Sequence, residues 1–368
     1  MRKSSLLLAP AALAATAFAG VSSLVADQVV DVRRTPRYPH RVLAADAGRV
    51  TLRRNRGTQR VGTYGLAYPG GHAVAGDVVE RTRSTVVRPL LRVDGAPVRP
   101  GRVALDHVDV GDPRSAFAMD FTEVGLESDV GTLPAWVVPA PGDTWAVVLH
   151  GYGGKRSSAL SFLPMLRDLG ITALVPAYRN DPDAPPSPDG RYHLGATEWR
   201  DAEAAVAYAA AQGAARIVLF GWSMGGAIAL QTWSLTAYRP LVAALLLDSP
   251  VVDWRAVLLH LGRLRKVPEP LVRHSMRLVE RRISIDFDDL DWLRRAEELD
   301  VATLVVHGDD DLTVPCGPSV ELARLRPDLV TLRVVAGAGH VGSWNVDPEA
   351  YARSVGDFLA PALERAPA

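Results

Sequence analysis

The sequence predicts an α/β fold with a mostly parallel central sheet and helices on both of its faces. From about residue 115 onward, apolar runs of strand length alternate with longer helical segments. Parallel strands need long crossover connections, which these helical segments provide. The predicted strands, of which the first two form a hairpin, are FTEVGLES, GTLPAWVVP, TWAVVLH, ITALVPAY, RIVLF, VAALLLD, ATLVVH and VTLRVV. The predicted helices are SSALSFLPMLRDLG, TEWRDAEAAVAYAAAQG, MGGAIALQTWSLTA and CGPSVELARLRP.

Residues 1–26 have the composition of a signal peptide or a membrane anchor. Arg2 and Lys3 precede an uncharged stretch rich in Leu, Ala and Val, and Ala17-Phe18-Ala19 offers a small-x-small cleavage site. The stretch is long enough to span a bilayer, which favours an anchor over a cleaved peptide. A buried helix is the disfavoured alternative. The sequence therefore predicts a membrane-anchored or exported protein of the cell envelope, with the side of the membrane left open.

Residues 27–114 form a predicted β-rich N-terminal extension, because short alternating runs such as RVTLRRN and STVVRPLLRV show no helical period. The catalytic domain is expected over 115–368. Within it, residues 251–300 are helical and charged, and separate two strands by far more than a usual crossover. We expect a small lid insertion there.

Composition excludes several classes of function. The 368 residues carry 41 basic and 41 acidic side chains, so no net field would attract nucleic acid. Cys316 is the single cysteine, which excludes an intramolecular disulfide and a cysteine metal cluster. No metal-ligand spacing, phosphate loop or dinucleotide fingerprint occurs, so neither a metal nor a cofactor is expected.

The motif GWSMGG points to a nucleophile. It follows the strand RIVLF and precedes a helix, which is the context of the G-x-S-x-G nucleophile elbow with Ser223 at its centre. A serine hydroxyl needs a base, and His340 follows the last predicted strand. Backbone N–H groups of Met224, and of Tyr152 in the loop HGYGG, are candidate oxyanion donors.

The acid of the site has to come from a third strand end. Asp311 is favoured among three adjacent aspartates because it lies furthest into the loop, although Asp309 or Asp310 stays open. Asp248 ends another strand and is interpreted as a turn cap. His150 and His307 are interpreted as packing and hydrogen-bonding groups near the sheet edge.

The motifs HGYGG, GWSMGG, HGDDDLTVP and GAGHVGSW together resemble the α/β-hydrolase superfamily over roughly residues 115–362. Within it, the chain is similar to bacterial prolyl-oligopeptidase-like and serine-aminopeptidase-like hydrolases, including membrane-anchored actinobacterial members. The resemblance implies a triad of Ser223, Asp311 and His340, with the acid three residues after the glycine of HGDDD. The chain departs from dienelactone hydrolases, which have a cysteine at the nucleophile position.

We therefore expect a serine hydrolase that cleaves a carboxylic ester through an acyl-enzyme. A serine peptidase or amidase is the enzymatic alternative, so the substrate is a small-molecule or peptide acyl compound. The alternative from another class is a membrane-tethered binding protein that keeps the fold without turnover.

Overall fold

The structure, a computed structural model, describes residues 8–32 and 38–365. It begins with a long helix, α1 (Leu8–Val30), which is followed by a small β-barrel and then by an α/β domain. The predicted n-region with Arg2 and Lys3 lies outside the described residues.

The barrel confirms the predicted β-rich N-terminal extension. Its strands are antiparallel and follow the order β2-β1-β7-β3-β4-β6, and β6 pairs again with β2, which closes the ring. The strands are β1 (His40–Ala45), β2 (Arg49–Arg53), β3 (Tyr64–Tyr68), β4 (Gly71–Ala75), β5 (Glu80–Arg81), β6 (Thr85–Gly95) and β7 (Gly101–Asp106). A compact apolar core fills the barrel, including Val42, Leu52, Leu66 and Val103.

The α/β domain contains an eight-stranded sheet in the order β15-β14-β13-β12-β10-β11-β9-β8. The strands are β8 (Thr122–Ser128), β9 (Gly131–Val138), β10 (Thr144–Leu149), β11 (Thr172–Pro176), β12 (Arg216–Trp222), β13 (Val242–Asp248), β14 (Ala302–Gly308) and β15 (Val330–Val335). Strands β8 and β9 form the predicted antiparallel hairpin, and β9 also pairs antiparallel with β11. The remaining neighbours are parallel.

Helices cover both faces of this sheet. They are α2 (Pro113–Phe117), α3 (Leu163–Asp168), α4 (Trp199–Ala211), α5 (Met224–Leu235), α6 (Trp254–Leu264), α7 (Glu269–Ile283), α8 (Gly317–Leu325), α9 (Ser343–Val346) and α10 (Pro348–Arg365). Successive residues of a strand belong to opposite faces. In β10, Val147 and Leu149 therefore pack in one core, whereas Ala146 and Val148 pack in the other.

Residues 251–300 contain α6 and α7, so the predicted helical insertion is present between β13 and β14. Helix α1 packs against α7. Ser22, Ala26 and Val30, at helical spacing, are fully buried, and Arg282 of α7 donates to the Ser23 carbonyl at 2.9 Å and pairs with Asp27 at 3.0 Å.

This packing corrects the expectation that disfavoured a buried helix. The apolar composition that suggested a bilayer also suits a helix that lies against other helices. In the described part of the chain, no helix is both long enough and apolar enough to cross a membrane.

Candidate active site

Ser223 lies on a strained turn between β12 and α5. Its backbone has φ 55° and ψ −121°, a conformation that residues other than glycine rarely adopt. The turn is possible because residues 221 and 225 are glycines. A Cβ on Gly221 would collide with the Gly225 carbonyl, and a Cβ on Gly225 with the Leu149 carbonyl. The sequence G-x-S-x-G thus supplies the two close approaches that expose the hydroxyl at the strand end.

The structure brings Ser223, His340 and Asp311 into one hydrogen-bonded chain. His340 Nδ1 lies 2.7 Å from Asp311 Oδ2, and His340 Nε2 lies 2.9 Å from Ser223 Oγ. An ionised carboxylate only accepts, so Nδ1 carries the proton and donates to Asp311. Nε2 is then the acceptor of the Ser223 O–H, which is the arrangement in which an imidazole can remove a hydroxyl proton.

Asp311 is held in its ionised form. Its Oδ1 accepts the backbone N–H groups of Thr313 at 2.8 Å and Val314 at 2.9 Å. Burial disfavours the negative charge of the carboxylate. Its electrostatic attraction to His340 and the hydrogen bonds from His307, His340 and Val314 outweigh that cost. The pKa of Asp311 therefore lies well below its usual value.

The neighbouring carboxylates have other partners. Asp309 is exposed and its Oδ1 accepts from the Gly337 N–H at 2.7 Å, whereas Asp310 is exposed at the loop surface. Asp248 is fully buried and its Oδ1 accepts from the Ser249 hydroxyl at 3.0 Å. Asp311 is the one among these four whose carboxylate bonds to His340 in the structure.

The two candidate oxyanion donors flank Ser223. Met224 is the first residue of α5, and the first N–H groups of a helix have no carbonyl partner within it. Tyr152 follows Gly151, whose position is so tight that an added Cβ would lie 3.0 Å from Ser223 Cβ. The side chain of Tyr152 donates its hydroxyl proton to the Asp31 carbonyl beyond α1, which ties this loop to the N-terminal segment.

His150 packs and forms hydrogen bonds at the sheet edge, as the sequence predicted, and it lies behind the loop of Tyr152. Its Nε2 is 2.8 Å from Asp181 Oδ2, its ring stacks on Tyr178 at 4.2 Å, and the Tyr178 hydroxyl donates to the carbonyls of His150 and Gly151. Burial opposes protonation of His150, but the Asp181 carboxylate holds the pKa of the imidazole above its usual value. This buried network fixes the loop from behind.

Ser223 and His340 open onto an apolar cavity of about 460 Å³. The sequence did not predict one of its walls, which is formed by Val25, Gln28 and Val29 of α1. The i, i+4 spacing of Val25 and Val29 was the available signal, but it does not reveal the partner of that face. The opposite walls come from α6 and α7 and include Trp254, Val257, Leu258, Leu261, Val272, Met276 and Val279.

A second cavity of about 280 Å³ lies on the barrel side of the same two residues. Arg60, Tyr64 and His107 of the barrel segment face Gly151–Gly154, Val341 and Asn345 across it. The sequence analysis did not select these barrel residues. A larger cavity of about 630 Å³, near β15 and α10, contains none of the predicted site residues.

The comparisons with known proteins agree with this architecture. Residues 187–365 match the prolyl oligopeptidase family of peptidases, and residues 41–106 match a family described as a domain of unknown function, DUF8805. No curated protein matches the sequence significantly.

Among solved structures, an esterase of Pyrococcus furiosus is similar with a TM-score of 0.55 and 20% identity, over 69% of this chain and 95% of that one. A putative aryl esterase of Burkholderia cenocepacia has a TM-score of 0.49 and 19% identity, over 66% of this chain and 100% of that one. The Pyrococcus similarity establishes the fold. The α/β-hydrolase fold and the family match over residues 187–365, which include Ser223 and His340, support the class of serine hydrolases for this protein.

Proposed function

We propose that the protein is a carboxylic ester hydrolase that forms an acyl-enzyme on Ser223. His340 takes the hydroxyl proton and returns it to the leaving group, and Asp311 orients His340. The amides of Tyr152 and Met224 stabilise the oxyanion. The observation that carries this proposal is the hydrogen-bonded chain of Ser223, His340 and Asp311 at the entrance of an apolar cavity.

The lining of that cavity supports an ester over a peptide. None of the described residues that line it is Asp or Glu, so no carboxylate there would pair with a substrate α-amino group. A peptide backbone would also need hydrogen-bond partners along its length, which a mostly aliphatic wall does not provide. An acyl chain needs none. The family match keeps peptide hydrolysis as the second candidate function.

The cavity has room for a medium-length chain. A methylene group takes about as much space as a water molecule, roughly 30 Å³, so 460 Å³ has room for at most about fifteen carbons. Acyl esters up to this length are accordingly the proposed substrates.

For the location of the protein, we propose export to the cell envelope, with the N-terminal segment at the membrane. Cleavage after Ala19 would leave Ser22, Ala26 and Val30, the residues that bury α1 in the fold. Val21 and Leu24, which cleavage at that site would also retain, are exposed on α1, where a lipid surface would cover them. Cell fractionation and the intact mass of the mature protein test this proposal.

Labelling with a fluorophosphonate tests the nucleophile. The full chain is incubated with the probe and read by intact mass and peptide mapping, beside Ser223→Ala and the exposed-site control Ser84→Ala. One adduct on Ser223, retained in the control, together with turnover of butanoate to decanoate esters supports the proposal. A folded protein with no adduct and no turnover would instead indicate the binding protein that keeps the fold without catalysis.

A further inference from the structure

The barrel contributes a side of the active site whose chemistry differs from that of the acyl cavity. The segment between β2 and β3 reaches the α/β domain, where the Thr63 N–H donates to the Asn345 carbonyl at 2.9 Å and Asn345 Nδ2 donates back to the Thr63 carbonyl at 2.7 Å. Asn345 lies five residues after His340. This contact fixes the barrel segment beside the site.

Arg60, on that segment, lies against the residue that precedes His340. A Cβ on Gly339 would be 2.7 Å from Arg60 Nε and 2.9 Å from Cζ, so the guanidinium rests on the glycine backbone. Arg60 is half-buried and forms no ion pair within the described residues. Asp106, the one carboxylate among the described residues lining this cavity, accepts from the His107 N–H at 2.8 Å.

Tyr64 adds a second unused donor. Its side chain is 5% exposed and its buried hydroxyl has no hydrogen-bond partner within the described residues, although it lines the same cavity. Burial raises the pKa of this hydroxyl above its usual value, so it stays protonated and can donate. A buried donor without a partner costs free energy that a bound acceptor would recover.

The segment that carries Arg60 is held in place by the interior of the barrel. Arg88 is fully buried and donates to the carbonyls of Thr58, Arg60, Gly62 and Gly76, which holds the segment from behind. An arginine buried among carbonyls is expensive to desolvate, and its five donors fit this clamp where a lysine would not. The interior of the barrel thus fixes the loop that presents Arg60 and that leads into Tyr64, the first residue of β3.

We infer that this second cavity binds the leaving group of the ester and selects one that carries an oxyanion, either a carboxylate or a phosphate. The inference rests on the proposed function. The leaving oxygen must receive its proton from His340, and the cavity extends past His340 to Val341 and Asn345. Arg60 would pair with the oxyanion and Tyr64 would donate to it, since a guanidinium binds carboxylate and phosphate oxygens in matching geometry.

The test compares two butanoate esters that differ in one charge, those of meta-hydroxybenzoate and of methyl meta-hydroxybenzoate. Wild type should favour the anionic ester, and Arg60→Gln should lower the ratio of the two kcat/KM values about tenfold, as loss of one partly exposed charge-assisted bond predicts. Tyr64→Phe should lower the ratio by a smaller factor. The matched control is Arg56→Gln, since Arg56 is exposed on the same segment and does not line the cavity.

Three outcomes overturn the inference, and they are distinguishable. A wild-type ratio near one that Arg60→Gln does not change leaves the ester hydrolase and removes the oxyanion site. If Arg60→Gln lowers kcat/KM only for phenyl hydrogen glutarate, whose charge is on the acyl side, then the second cavity binds the acyl group and the first binds the leaving group. Absence of turnover with both esters, together with absence of fluorophosphonate labelling at Ser223, removes the proposed function itself. Thermal unfolding of each variant shows that the fold is kept.

Discussion

Replacement of Asp311 by asparagine should disable the site without disturbing the fold. The backbone N–H groups of Thr313 and Val314 both donate to Oδ1 of Asp311, so an asparagine keeps both bonds only if its oxygen takes that place. Its NH₂ group then faces His340 Nδ1, which lies 2.7 Å from Oδ2 in the native site. Two donors cannot bond, and His340 must move its proton to Nε2.

With the proton on Nε2, His340 can no longer accept the proton of Ser223. A tautomer exchange of this kind costs about four orders of magnitude in kcat, which corresponds to roughly 5 kcal/mol in the activation free energy. The volume of the side chain is unchanged, but the lowered pKa of Asp311 means that its charge stabilises the folded state at neutral pH, so Asp311→Asn should also lower the free energy of unfolding there.

The assay measures kcat on a butanoate ester, with the active protein counted by stoichiometric fluorophosphonate labelling after long incubation. Asp309→Asn is the matched control, because Asp309 lies two residues away, is exposed and bonds to the Gly337 N–H instead. If folded Asp311→Asn retains kcat within tenfold of wild type, Asp311 does not orient His340. The buried Asp248 would then be the next acid to replace.

Two further predictions concern the acyl cavity and the pH dependence of stability. Val29→Trp should fill the α1 wall and lower kcat/KM for decanoate relative to acetate esters, whereas the exposed Val21→Trp should leave that ratio unchanged; an unaltered chain-length profile in Val29→Trp would show that acyl chains lie elsewhere. Burial raises the pKa of Asp248 from 3.8 to about 6. The folded state therefore holds this proton more tightly than the unfolded state, and the stabilisation that is fully present below pH 4 is lost as the pH rises through 6. This amounts to roughly 3 kcal/mol by pH 8, and Asp248→Asn should regain about that much relative to wild type between pH 4 and pH 8 in denaturant titrations. A constant difference across that range would contradict the raised pKa.

The sheet could be predicted from sequence because each strand carries its own signal. The run RIVLF was predicted as a strand, and the structure has β12 from Arg216 to Trp222, buried on both sides. A strand covered on both faces reads as a continuous apolar run, and the glycines that follow it mark the turn. Ser223 could be placed for the same reason, since it lies immediately beyond such a run. His340 was placed by a weaker signal, because it follows an edge strand, β15, whose residues are partly exposed.

Helix α1 could not be assigned in this way. An apolar helix that inserts into a bilayer and one that packs between other helices have the same composition. The structure separates them through contacts that local sequence does not encode, such as the bond from Arg282 to the Ser23 carbonyl, 259 residues away. The pocket wall formed by Val25 and Val29 depends on that packing.

The barrel raises a similar difficulty. Alternating runs identified it as β-rich, but its place beside the site depends on Arg60 meeting Gly339 and on Thr63 meeting Asn345, 282 residues further along the chain. In the sequence, Gly339 is interpreted only as part of a turn before His340. The structure shows that its missing side chain also leaves room for the guanidinium of Arg60. The reactive residues are therefore carried by the α/β domain, whereas the two parts of the chain that precede this domain line the cavities on either side of Ser223. In a hydrolase assembled in this way, substitutions in α1 can change the specificity for the acyl group and substitutions in the barrel can change the specificity for the leaving group. Ser223, His340 and Asp311 stay fixed at the strand ends.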